Sequence, residues 1–169
     1  DYRILLITGP NTGGKTVCLK TLGLFCLMAY FGLYLPCVQA EICVFDDIFV
    51  DIGDEQSIEN ELSTFSSHVI NLIYITGRMT KNSLVLLDEV GGGTDPTEGT
   101  ALAVGIIKYT VDTGATAVFT THYDELKEFA MTCPDVENAC MQFDEKTLSP
   151  TYKLITGMPG TSNALKIAK

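Results

Sequence analysis

Eight residues near the start of the chain have the types and spacing of a phosphate-binding loop. Residues 9–16 read GPNTGGKT and match the pattern G-x-x-x-x-G-K-[ST]. The glycines let backbone N–H groups approach a polyphosphate closely, and the helix after such a loop points its positive end at the anion. A glycine-rich turn that matches by chance is the alternative. The apolar residues 4–7 argue against it, because they have the pattern of a buried strand.

The loop predicts how a nucleoside triphosphate and its metal would be held. Lys15 would reach the β- and γ-phosphates as a point charge, and the Thr16 hydroxyl would ligate Mg²⁺. We expect nucleotide contacts from the loop as a whole, namely from Gly9, Pro10, Asn11, Thr12, Gly13, Gly14, Lys15 and Thr16.

Two adjacent carboxylates follow a second buried strand. Residues 83–89 read SLVLLDE, as expected where a central parallel strand delivers its carboxyl end to a ligand crevice. Successive side chains of a strand point in opposite directions, so the two acids can do different work. Asp88 would hold the Mg²⁺ shell, and Glu89 would orient or deprotonate the attacking water. The alternative is a strand that ends in solvated acids.

A histidine and a serine are further candidates. The apolar residues 115–120 predict a strand that delivers His122 to the same edge, where it would hydrogen-bond the γ-phosphate, although a lone histidine is more often structural. In the serine-rich residues 63–67 we expect Ser66 to cap a helix that runs through residues 69–75. Ser63 is either part of that cap or a donor to a phosphate.

The remaining pattern predicts a single α/β domain with a mainly parallel central sheet flanked by helices. The apolar residues 22–35 are too few to span a bilayer, where about 20 are needed, and predict a helix buried on both sides. Asp95 or Thr94 with Pro96 begins a helix that includes residues 100–111. The other expected elements are strands at 41–45, 48–52, 136–143 and 152–155 and a helix at 124–131.

Composition limits what this chain can do by itself. Its 169 residues suit one domain, and 21 acidic against 11 basic residues give a net charge of −10, which repels a nucleic-acid backbone. The six cysteines contain no C-x-x-C pair, which disfavours zinc. Most have apolar neighbours, which favours buried, reduced thiols in a cytoplasmic protein over a disulfide framework in a secreted one. The early first strand and the closing GTSNALKIAK, typical of a helix cut short, predict a fragment of a larger protein.

The scarcity of arginine favours hydrolysis over transfer to a second substrate. Small P-loop kinases surround the transferred phosphoryl group with arginines, whereas this chain has Arg3 and Arg78 alone. The missing donors must come from a second subunit or from backbone and hydroxyl groups. A nucleotide-dependent binding switch with negligible turnover is a further alternative.

Four motifs together resemble one protein family. GPNTGGKT, LSTFSSH, LVLLDEVGGGTDPTEG and TTHYDELK, in this order and spacing, resemble the ATPase domain of the MutS family, within the ABC-type ATPases. DIGDEQSIENELSTFSSH and VENACMQFDEKTLSPTYKLITGMPGTSNAL are similar to its second bacterial branch, whose members carry an endonuclease. Gly92 in place of alanine and Lys166 in place of glutamate depart from the pattern, and neither touches the proposed chemistry.

The resemblance implies a three-layer P-loop NTPase that hydrolyses ATP with Mg²⁺ at composite sites of a homodimer. It implies the roles given above for residues 9–16, Asp88, Glu89 and His122, and it makes Ser63 a ligand of the other subunit's γ-phosphate. It further implies that segments outside this chain bind branched or mismatched DNA, control recombination, cut DNA or, in some members, engage stalled ribosomes. No membrane partner is implied.

Overall fold

A computed structural model describes residues 2–10, 13–53, 61–144, 147 and 149–160. Strands and helices alternate through most of this part of the chain. In chain order they are β1 (Ile4–Thr8), α1 (Lys15–Tyr30), β2 (Asp47–Asp51), α2 (Glu61–Thr76), β3 (Ser83–Leu87), α3 (Pro96–Thr113), β4 (Thr116–Thr121), α4 (Asp124–Thr132), β5 (Val136–Asp144) and β6 (Ser149–Thr156).

The described strands form one sheet in the order β2-β3-β4-β1-β5-β6. All neighbours pair in parallel except β6, which runs antiparallel to β5 as the second half of the expected hairpin. Thr8 of β1 lies opposite Thr121 of β4, and Phe119 of β4 lies opposite Leu87 of β3. The carboxyl ends of β3, β4 and β1 therefore meet at one edge. This confirms the α/β class and the mainly parallel sheet.

Two apolar clusters cover the two faces of the sheet and make three layers. Leu84 and Leu86 of β3 pack with Leu19 of α1 on one face. The alternate residues Val85 and Leu87 belong to the cluster on the other face, which also contains residues of α2, α3 and α4. Every residue of β3 is buried, which explains its unbroken apolar run.

Two boundary predictions are wrong. Residues 41–45 form no strand, and α2 begins at Glu61, so Ser66 lies inside the helix and is not its cap. Serine in a helix interior costs only a few tenths of a kcal/mol relative to alanine, about 0.5 on peptide scales, and tertiary packing overrides so small a preference. Ile75 of α2 is buried in the core, which anchors the helix.

The expectations of burial for α1 and for the cysteines are also wrong in part. One face of α1 packs on the sheet through Leu19, Gly23 and Cys26, whereas Leu24 is 56% exposed, because no described element covers its outer face. All six cysteines are free thiols, as expected, yet Cys37 and Cys43 are exposed. Among the described residues, no helix has the length and apolar character that crossing a membrane requires.

The contact between the glycine loop after β3 and α3 offers a matched pair of substitutions. A Cβ on Gly99 would lie 2.2 Å from the Gly91 carbonyl oxygen, whereas a Cβ on Gly105 of the same helix would meet nothing within 4 Å. We expect Gly99→Ala to lower the free energy of unfolding by about 1–3 kcal/mol or more, because backbone must move. Gly105→Ala should raise it by about 0.5–1 kcal/mol. Urea denaturation followed by circular dichroism measures both, and equal effects would contradict this packing.

Candidate functional site

The glycine loop joins β1 to α1 in a conformation that its glycines make possible. Gly9 has a φ of 132° and Gly14 a φ of 88°, which are values that side-chain-bearing residues rarely adopt. Gly14 is the N-cap of α1 and provides no capping side chain, so the first turn of the helix is left for another acceptor. Asn11 and Thr12 lie outside the described residues.

Lys15 is a buried cation within this loop. Its side chain is 2% exposed, and Nζ donates to the Gly9 carbonyl oxygen at 2.6 Å, so the ammonium group lies against the loop backbone. Thr16 follows in the first turn of α1 and is half-buried. A buried ammonium beside an uncapped helix N-terminus concentrates positive charge at this point of the surface.

Asp88 and Glu89 are held by one buried threonine. The Thr120 hydroxyl of β4 donates to Asp88 Oδ1 and accepts the Glu89 N–H at 2.8 Å. Glu89 has a φ of 49°, which costs a non-glycine residue about 1–2 kcal/mol. The Val90 N–H donates to the Thr120 carbonyl oxygen at 3.0 Å, so both sides of Glu89 are fixed to β4. Strain of this kind persists where the surroundings determine the conformation, and it is concentrated at functional sites.

His122 follows β4 directly, at the same edge of the sheet. Its ring lies 4.5 Å from the Tyr123 ring between centroids. The Tyr123 hydroxyl donates to the Gly91 carbonyl oxygen at 3.1 Å, which ties this strand end to the glycine loop after Glu89. Burial raises the pKa of Tyr123, and the negative charges of Glu89, Asp95 and Glu125 raise it further, so the phenol stays a neutral donor.

The sheet register brings the predicted residues to one edge. Lys15, the Asp88 and Glu89 pair, and His122 follow β1, β3 and β4, which are neighbours in the sheet. Ser63 lies in the first turn of α2, where its side chain is outside the described residues. Asp95 caps α3 as expected, accepting from the Thr97 and Glu98 N–H groups.

Two features of this edge were not found from the sequence. In the sequence, Thr120 is one more residue of a predicted buried strand. Only the pairing of β4 with β3 shows that its hydroxyl hydrogen-bonds to both Asp88 and Glu89. Tyr152 of β6 lies against the loop, since a Cβ on Gly14 would be 3.0 Å from its Cδ1 atom. Tyr152 is 61% exposed and has a φ of 58°, so it shares with Glu89 a conformation that no other described non-glycine residue adopts.

Comparison with known proteins identifies the family. Residues 5–169 match the family model described as MutS domain V. The chain belongs to the MutS family. The branch is that of MutS2, because similar curated proteins carry the name Endonuclease MutS2.

Three MutS2 relatives show how close the likeness is. Endonuclease MutS2 of Brevibacillus brevis is 57% identical, that of Caldanaerobacter subterraneus subsp. tengcongensis 56% and that of Clostridioides difficile 55%, each over the whole of this chain. The chain spans 22% of the length of each of these relatives. The expectation of a MutS-type protein of the second bacterial branch is thus confirmed.

The role of Thr120 is testable by stability alone. Thr120→Val keeps the shape of the buried side chain and removes the hydroxyl that serves Asp88 and Glu89. We expect the free energy of unfolding to fall by about 1–3 kcal/mol, because buried polar groups lose their partner. Thr120→Ser keeps the hydroxyl and should lose only about 1 kcal/mol for the missing methyl group. A valine variant as stable as the wild type in denaturant titrations would rule out this bridging role.

Proposed function

We propose that this MutS-family domain is an ABC-type P-loop ATPase that binds ATP with Mg²⁺ and hydrolyses it. The observation that carries the proposal is the convergence of a buried lysine, held in a glycine loop, with two adjacent acids and a histidine on three neighbouring strand ends. A crevice outside the carboxyl ends of parallel strands is where ligands bind in sheets of this kind.

The residues present fit the phosphates of ATP. Gly14 leaves the N-terminus of α1 without a side-chain cap, so its N–H groups can take a phosphate, and Lys15 adds a full positive charge beside them. Thr16 and Asp88 are the hydroxyl and the carboxylate that Mg²⁺ takes in P-loop enzymes. Thr16 and Asp88 would hold the ion, which would supply positive charge to offset that of the phosphates.

The other side chains of the edge have distinct tasks in this proposal. Glu89 orients the attacking water and accepts its proton, and the hydrogen bonds from the Glu89 and Val90 N–H groups to Thr120 hold its backbone in place. His122 hydrogen-bonds the γ-phosphate. The exposed ring of Tyr152, beside Gly14, offers a surface on which the base of the nucleotide stacks.

Two copies of the domain complete the site. This chain has few arginines, so stabilisation of the transition state draws on Ser63 of a second copy, and the active form is a homodimer.

The acidic surface leaves DNA binding and cleavage, and any ribosome contact, to segments outside the chain. We place the protein in the cytoplasm, where its free thiols stay reduced.

Removal of the Lys15 charge tests nucleotide binding. Lys15→Met keeps the buried aliphatic volume, and we expect it to weaken binding of Mg²⁺–ATP by about 100-fold or more, because a charge-assisted phosphate contact is lost. Lys20→Met changes an exposed lysine of the same helix and should leave the affinity within about twofold. Isothermal titration calorimetry measures both. Equal affinities for both variants would remove the loop from the site.

Glu89→Gln separates an ATPase from a binding clamp. We expect release of inorganic phosphate from ATP alone to fall by about 10²–10⁴-fold, because the general base is lost, while ATP still binds. The variant should accumulate as an ATP-bound dimer in sedimentation velocity runs. A wild type that dimerises with ATP and never releases phosphate would instead be a nucleotide-gated clamp. Unchanged turnover in the variant would exclude Glu89 as the base.

A further inference from the structure

A hydrogen-bonded cluster joins α2 to the end of β2, beside the candidate site. Asp51 is buried, with 8% of its surface exposed. Its carboxylate accepts hydrogen bonds from His68 Nδ1 at 2.8 Å and from Asn71 Nδ2 at 3.1 Å. His68 and Asn71 are three residues apart in α2 and so lie on the same face of the helix. A carboxylate with two donors from one helix fixes the rotation of that helix as well as its distance from the sheet.

The backbone at Gly53 lies close to the His68 ring. A Cβ on Gly53 would lie 2.8 Å from the His68 ring atoms Cε1 and Nε2, so the ring occupies the space that a side chain would need. The ring is thereby packed against residue 53 on one side and hydrogen-bonded to Asp51 on the other.

The same aspartate is bonded to the Asp88 end of β3. The Asp51 carbonyl oxygen accepts the Asp88 N–H at 2.9 Å, which extends the β2–β3 ladder beyond Leu87. From Asp88, the Thr120 hydroxyl continues the chain of hydrogen bonds to the Glu89 N–H. A continuous set of bonds therefore runs from the middle of α2 to both acids.

We propose that Asp51, His68 and Asn71 are positioning residues that align Asp88 and Glu89 with the position of α2. This inference rests on the proposed ATPase function. Ser63 lies in the first turn of α2. When that turn binds in the partner's site, the position of α2 is fixed, and Asp88 and Glu89 of the same domain are aligned with it. Dimer formation thus aligns the catalytic acids in each of the two domains.

Loss of the His68 donor tests the link. His68→Ala should lower kcat by about 10–100-fold, which is the effect of losing a residue that orients a catalytic side chain through a hydrogen bond. The Kd for Mg²⁺–ATP should stay within about threefold of the wild type. His68→Asn places an amide N–H where Nδ1 lies and should restore kcat to within about threefold of the wild type. Ile70→Ala, on the exposed side of the same helix, is the matched control and should change neither quantity.

A second variant guards against a folding defect. Asn71 is an exposed residue of α2, so Asn71→Ala should fold, and it should lower kcat with little change in Kd. Hydrogen exchange of the Asp88 amide, measured by NMR, should quicken about tenfold or more in His68→Ala and in Asn71→Ala and stay unchanged in Ile70→Ala.

The outcomes distinguish this inference from the function on which it rests. A wild type without ATPase activity overturns the proposed function, and the exchange of the Asp88 amide then still decides whether α2 is linked to β3. Turnover and Asp88 exchange that both match the wild type in His68→Ala and Asn71→Ala overturn the positioning role alone. Equal losses of kcat in His68→Ala and His68→Asn also overturn it, because the donor would then not be what matters.

Discussion

The parallel pairing of β3, β4 and β1 is the constraint on which the candidate site depends. Parallel neighbours end in the same direction, so whatever follows them along the chain must meet at one edge. Three segments far apart in sequence, the glycine loop, the acidic pair and the histidine, become neighbours for this reason alone. The burial of the central strands on both faces holds the register, since a slip would move apolar side chains between layers.

Two buried ionisable side chains at this edge, Lys15 and Asp88, each have a hydrogen-bond partner. A lysine with 2% exposure lies in an acidic chain, at the sheet edge where Asp88 follows β3. Burial of charge is costly unless the groups are hydrogen-bonded. Here the backbone of the loop accepts from Lys15, and Thr120 donates to Asp88. In the proposed function, an anion that enters the site meets a donor that hydrogen bonds already hold in place, so little reorganisation is needed.

Much of this site could be read from the sequence, because its signals are local. The loop of residues 9–16 and the strand that precedes Asp88 each carry their pattern within about ten consecutive residues, and Asp95 with Pro96 marks a helix start in the same way. The beginning of α2 could not be read, because packing of its later residues overrides the capping preference of serine.

The contacts that the sequence could not reveal are those between distant segments. Asp51 with His68, and Tyr152 with Gly14, depend on which strands are neighbours and in what register, and nothing in their own surroundings marks them. The exposed face of α1 was missed for a similar reason: an apolar helix indicates that something covers it, yet the pattern does not say whether the cover belongs to the same segment.

The place of β2 at the border of the sheet has a consequence for handling the molecule. A border strand presents backbone groups to which another chain can add, which is a route to amyloid-like stacking. Strand β2 begins with the exposed Asp47, and Asp46 precedes it, so a second copy approaching that border meets like charge. The acidic residues at β2 therefore also protect this border of the described sheet against edge-to-edge association.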